Sequence, residues 1–239
     1  MLTLMKRDGW PVVGIMIATA AVQLGVFLLP RAYGVPARMT VPASLIIAGV
    51  WVALASAIFA AGPRGTISGI LRGGIVADAT VVLLVVLWLN APEVTFLSAV
   101  KLYCIYASVA FCAIAAARCA SSLRFRYLGA VCAAVFLTAL QGGLFWLPGL
   151  LQIVPADYKV AVAGIGLRAN PLYGVFSAIA DKSGFVWHYA EVMYRITPLG
   201  EDIAVPPVQW YEPMVVHLAV AGILAATWLL RGRRPSLPG

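Results

Sequence analysis

Charge is scarce in this chain. Only 11% of its 239 residues are Asp, Glu, Lys or Arg, against roughly a quarter in an ordinary soluble domain. With 62% apolar residues and a mean hydropathy of +0.95, water is excluded as the solvent for most of the surface. Chemistry-bearing residues are equally few. Two histidines, His188 and His217, and no H-E-x-x-H or similar spacing leave little to hold a catalytic metal. The pair also falls on different segments, one in a loop and one in an apolar run, which disfavours a bis-histidine haem. The four cysteines, Cys104, Cys112, Cys119 and Cys132, include no C-x-x-C pair and lie in or beside apolar runs, so they read as buried thiols. None lies in the long polar segment, and no external disulfide framework is implied. The Gly62–Gly69 stretch lacks the Lys-Ser/Thr ending of a P-loop, and no G-x-S-x-G elbow occurs. Catalytic residues, cofactors and metal ligands are therefore expected to be absent, and any ATP hydrolysis resides in another chain.

The long apolar runs that remain define the fold class. Six are close to the roughly 20 residues that cross a bilayer as a helix: Trp10–Pro30, Val41–Gly62, Gly73–Asn90, Val94–Ala117, Tyr127–Leu150 and Pro213–Leu230. Backbone groups in lipid must bond within their own segment, so helices are required. Alternating barrel patterning is absent. The expectation is an all-α, polytopic bundle of about six transmembrane helices forming a single domain over residues 1–239. The N-terminal Lys6-Arg7 followed by an apolar run resembles a signal peptide, but the run is long and lacks a small-x-small cleavage site, so it reads as a retained span.

The net charge of +8 suits membrane orientation rather than nucleic acid, because Lys and Arg cluster at the ends of apolar runs. With the N-terminus inside, ten basic residues face the cytoplasm: Lys6, Arg7, Arg64, Arg72, Arg118, Arg124, Arg126, Arg231, Arg233 and Arg234. Six face outward: Arg31, Arg38, Lys159, Arg168, Lys182 and Arg195. Lys101 is intramembrane. Both termini are expected in the cytoplasm, with the chain in the plasma (inner) membrane.

Residues 151–211 form a long external segment rather than a linker. Asp157–Ala169 and Pro171–Ala180 are apolar enough to lie on or dip into the membrane. Phe185, Tyr189, Val192, Met193 and Ile196 give Phe185–Ile196 one apolar helical face. His188, Glu191 and Arg195 share another face, read as a solvated surface with a Glu–Arg pair. Pro198 and Pro206-Pro207 then end helix formation, and Trp210-Tyr211 anchor the last span at the interface.

Polar residues within the spans are the functional candidates, because their burial in lipid is costly. Gln23, Lys101, Gln141 and His217 are expected in the outer half of the membrane, where they could form a polar vestibule beneath the external loop or a docking surface for it. Asp78 is expected in the inner half, meeting Arg72, Arg118 or a backbone group at the cytoplasmic end. Lys101 and Asp78 differ in estimated depth by roughly 10 Å and are not expected to pair directly.

The layout resembles the permease subunits of type-2 ABC exporters. The likeness lies in six spans with both termini inside, and in a long external segment between spans five and six. At residue level it rests on Asn170-Pro171-Leu172-Tyr173, on the final helix and on Arg231-Gly-Arg-Arg234. The resemblance implies a homo- or heterodimer with a separate ATPase subunit, contacted by the loop Gly62–Gly74 through Arg64 and Arg72. The family usually opens with an amphipathic connecting helix, whereas only Met1–Gly9 precede the first span here. The alternative is a non-catalytic accessory or structural subunit of a larger membrane complex, respiratory or photosynthetic. Under either reading the bilayer is a partner and nucleic acid is not.

Overall fold

A computed structural model describes residues 2–61, 66–120, 126–180 and 208–232. Within these every element is an α-helix: α1 (Leu2–Ala32), α2 (Ala37–Ala60), α3 (Thr66–Asn90), α4 (Phe96–Ala120), α5 (Arg126–Gln141), α6 (Gly143–Ile153), α7 (Ala156–Ala169), α8 (Pro171–Ala180) and α9 (Tyr211–Gly232). Five helices are long and apolar enough to cross a membrane: Pro11–Ala32, Met39–Ala60, Ser68–Asn90, Phe96–Ala120 and Tyr211–Leu230. The described residues are all-helical, and the five apolar helices make the chain a multi-pass membrane protein.

Local chemistry sets the helix ends. Pro36 holds the extended backbone from which α2 starts, and α2 stops at Ala61, before Gly62-Pro63. Thr95 caps α4, its hydroxyl accepting the Ser98 N–H at 3.1 Å. In α9 the Glu212 carboxylate reaches back to accept the Gln209 N–H at 3.1 Å, one half of a capping box.

α1, α3 and α5 run in one sense and α2, α4 and α9 in the other. We call the side where α1 begins the first side and the side where it ends the second. α4 is the central staff: α2, α3, α5, α8 and α9 all pack on it. One continuous core joins the spans through residues such as Phe27, Leu45, Leu83, Leu102 and Val109. A smaller cluster of Leu147, Leu151, Ala163, Leu167 and Tyr173 ties α6 and α7 to the start of α8. The outward surface is as apolar as the core. Leu89, Phe136 and Ile223 are each 67–68% exposed, whereas Gln23, Thr80 and Ser56 are fully buried. This inside-out distribution suits a lipid solvent.

The expected span Tyr127–Leu150 is corrected: it is two helices broken at Gly142. α5 has only 16 residues and is a shorter apolar helix, not one of the five long spans. The expected loop Gly62–Gly74 is also corrected. α3 begins at Thr66, so Arg72 stands on a helix, while Arg64 lies outside the described residues. A run of nine residues from 66 to 74 with two tight glycine contacts favours helix over loop, since each glycine is held against a neighbouring helix. The proposed amphipathic helix Phe185–Ile196, with His188, Glu191 and Arg195, lies outside the described residues.

The α2–α3–α4 packing near the first side depends on small residues. A Cβ on Gly73 would lie 2.9 Å from the Ser56 carbonyl oxygen and 2.6 Å from Ile114. A Cβ on Gly69 would lie 2.6 Å from the Ala60 carbonyl oxygen and would overlap the Arg118 guanidinium. Gly69 and Gly73 are four residues apart and face Ala60 and Ser56, also four apart, so two small-xxx-small stripes bring the backbones together. The Ser56 hydroxyl donates to the Gly73 carbonyl at 3.0 Å across this seam.

Candidate functional site

At the middle of the bundle a helix ends and another begins. Gln141 is the last residue of α5. Its side-chain amide donates to the Gly49 carbonyl of α2 at 3.1 Å. Its backbone carbonyl, left without a helical partner by the break at Gly142, accepts from the Asn170 side-chain amide at 3.0 Å. Asn170 in turn is the N-cap of α8: its side-chain oxygen accepts the Leu172 N–H at 3.0 Å, and Pro171 occupies the first helical position, where no N–H is required. Both Gln141 and Asn170 are 1% exposed. Beside them Tyr106 of α4, also buried, donates its hydroxyl to the Leu45 carbonyl at 2.8 Å. The break leaves a further carbonyl exposed on α5, that of Ala139, which accepts the Trp146 indole N–H at 2.6 Å.

The depth of this junction follows from its partners. Gly49 is ten residues from one end of the span Met39–Ala60 and eleven from the other. At a rise of about 1.5 Å per residue it lies at mid-membrane. The carboxyl end of α5 and the amino end of α8 therefore meet near the midplane, inside the bundle. α8 stays among α2, α4, α7 and α9; a Cβ on its Gly174 would lie 3.0 Å from Pro213 and from the Trp210 carbonyl oxygen. The macrodipoles place partial negative charge at the Gln141 end and partial positive charge at the Asn170 end. Two interrupted helices meeting at mid-membrane is the arrangement from which many transporters build substrate sites.

Two further polar links lie at the same level. Gln23 of α1 donates to the Thr80 hydroxyl of α3 at 3.0 Å, and Thr80 donates to the Val76 carbonyl at 3.0 Å. Trp51 of α2 donates its indole N–H to the Thr19 hydroxyl of α1 at 3.1 Å. On the outside of the bundle Asp78 accepts the Tyr103 hydroxyl at 2.8 Å. Asp78 is ten residues from one end of the span Ser68–Asn90 and twelve from the other, so it sits close to the midplane, slightly towards the side where α3 begins. Its partner is Tyr103, not Arg72 or Arg118. The reason is angular: Asp78 is on the exposed face of α3, whereas Arg118 is buried and crosses Gly69 on the inner face.

The remaining candidates stand apart. Lys101, about 8 Å along α4 from its second-side end, holds its ammonium 5.8 Å from the centre of the Trp210 ring, a cation–π contact. His217 is buried and bonds within its own helix, Nδ1 to the Pro213 carbonyl at 2.7 Å. A carbonyl only accepts, so Nδ1 carries the proton. Arg168 of α7 meets Glu212 of α9 at 3.5 Å. The expected vestibule of Gln23, Lys101, Gln141 and His217 is not assembled among the described residues: each side chain has a different partner. Helical reach places residues along a span but not around it, and only the packing fixes the angle.

Asn170 and Gly142 are the residues that sequence reasoning missed as functional. The signal was present: Gln-Gly-Gly at 141–143 interrupts an apolar run, and Asn-Pro at 170–171 is a helix start. Among the described residues no group of three or more His, Cys, Asp or Glu side chains could hold a metal ion. Compared with family models, curated proteins and solved structures, the chain matches none.

Proposed function

We propose that this chain is the membrane-spanning permease subunit of an ATP-driven transporter, working as a dimer with a separate ATPase. The observation that supports the reading best is the mid-membrane junction of α5 and α8 through Gln141 and Asn170. A helix broken inside a membrane costs unpaired backbone groups, and this chain meets that cost with the Asn170 side chain, which bonds both the Gln141 carbonyl and the Leu172 N–H. Interrupted helices give a transporter what continuous ones cannot: backbone donors and acceptors at the midplane, and a point about which segments can rock. In this reading α5 and α6 together make the sixth crossing. In the same reading α7 and α8 enter the bundle from the extracytoplasmic side of the plasma membrane, and the ten-to-six basic bias holds both termini in the cytoplasm. Arg64 and Arg72 then face the ATPase.

The reading requires solvent to reach the junction during the transport cycle. A single cysteine at position 142, in a chain whose four native cysteines are replaced, is expected to react with a membrane-impermeant thiol reagent in sealed vesicles. Its rate should be at least tenfold above that of a cysteine at the fully buried Leu87. Equal, negligible labelling of both positions, with and without ATP and the ATPase, would remove the junction from any transport path.

A further inference from the structure

The Asp78–Tyr103 pair opens onto an apolar groove that no part of the described chain fills. The groove runs between α3 and α4 from this pair towards the second side and has a volume of about 240 Å³. Val81, Val85 and Trp88 of α3 and Phe96, Val100 and Tyr103 of α4 line it. At its far end Trp88 and Phe96 meet edge to face, with ring centres 5.6 Å apart. Trp88 and Phe96 remain 44% and 63% exposed. The lining itself is apolar, and Asp78 stands beside its mid-membrane end, bonded to the lining residue Tyr103.

A carboxylate facing hydrocarbon is strongly disfavoured unless a cation or several donors satisfy it. Among the described residues Tyr103 is the one hydrogen-bond donor that reaches Asp78. That leaves acceptor capacity directed away from the bundle, since an ionised carboxylate accepts up to about four hydrogen bonds. A further donor comes from outside the described residues. An acyl chain fills such a groove but brings no charge. A second copy of this chain is also a poor match. Two-fold symmetry about the membrane normal presents residues at equal depth, and the intramembrane cation of this chain, Lys101, sits about 10 Å nearer the second side than Asp78.

We infer that the α3–α4 groove is the docking site for a transmembrane helix of a different chain, one carrying Lys or Arg near its midpoint. Its apolar face covers Val81, Val85 and Val100, and its cation completes the coordination of Asp78. This does not rest on the transport reading, because a permease and an accessory subunit can each recruit such a helix.

The test uses the purified full-length chain, labelled at a carboxyl-terminal tag, in phosphatidylcholine vesicles. The probe is a synthetic Leu/Ala transmembrane peptide with a single central Lys. It is compared with the same peptide bearing a central Leu, and with one whose Lys is moved two turns towards the end. Association is read by energy transfer. The central-Lys peptide is expected to associate about tenfold more strongly than the other two, and Asp78→Asn should erase that preference while keeping a group that Tyr103 can bond. Val85→Trp, which fills the groove, should weaken binding of all three peptides. The inference is overturned if the three peptides associate equally, or if Asp78→Asn leaves the preference intact. Self-association of the chain that disappears in Asp78→Asn would make the occupant a second copy and overturn it as well.

Discussion

Asn170→Ala is expected to destabilise the protein by about 3 kcal/mol and to abolish coupled transport. The side chain of Asn170 satisfies two buried backbone groups at once: the Gln141 carbonyl at the end of α5 and the Leu172 N–H at the start of α8. Removing it leaves both unpaired in a site with 1% exposure, and each such group costs roughly 1–3 kcal/mol. Asn170→Asp separates the two roles. A carboxylate still accepts from Leu172 but cannot donate to Gln141, and its charge is buried, so it should not rescue. Thermal unfolding in detergent, followed by intrinsic tryptophan fluorescence, measures the stability; ATP turnover of the reconstituted complex measures the coupling. A melting temperature within 1–2 °C of the parent, which corresponds to at most about 1 kcal/mol for a domain of this size, would mean that the junction is not held by this residue.

The second large effect concerns two adjacent glycines. Gly73→Val is expected to cost about 2–3 kcal/mol, because its branched side chain must enter space held by the Ser56 carbonyl and Ile114. The better helix propensity of valine recovers only a few tenths of a kcal/mol of that. Gly74, one residue on, has no atom within 4 Å of its hypothetical Cβ. Gly74→Ala should therefore be neutral or stabilising by up to about 1 kcal/mol. The pair forms an internal control: same helix, same glycine, opposite sign. Equal effects on thermal stability from the two substitutions would show that the α2–α3 seam is looser than the distances imply.

Much of the architecture was legible from composition and run length alone. The first, second, fourth and last expected spans coincide with long apolar helices to within three residues, and the third in its end, because a bilayer dictates length and polarity with little help from tertiary contacts. The break at Gly142 was not read. Tyr127–Leu150 is apolar apart from Thr138 and Gln141, and hydropathy cannot tell a continuous helix from one that stops at mid-membrane. What decides is a partner 29 residues away, Asn170, which supplies the capping amide. The start of α3 was misjudged for the opposite reason. Its first turns, 66–74, hold an arginine and three glycines, a loop-like composition that packing on Ala60, Ser56 and Arg118 turns into helix. Composition singles out the polar residues within the spans, but not their neighbours. Depth follows from counting, but the angle around each helix follows from the neighbours it packs against. That is why Asp78 meets Tyr103 on the outside while Gln23 meets Thr80 on the inside.

Asp78, Gln23 and Gln141 also make different physical arguments despite their common depth. Gln23 and Gln141 bind neighbouring helices of the same chain, as buried amides in membrane bundles do. Asp78 points out of the bundle, and an outward carboxylate has meaning only with something beside it.

The central claim, that this chain is the membrane half of an ATP-driven transporter, is tested most directly by purification in mild detergent with identification of every co-purifying chain and chromophore. The account predicts an ATPase subunit in stoichiometric amount and ATP turnover that falls at least tenfold in Asn170→Ala while the complex still assembles. Recovery of the intact chain with bound pigment or haem and several non-ATPase partners, and with no ATP turnover, would contradict it and identify an accessory subunit instead.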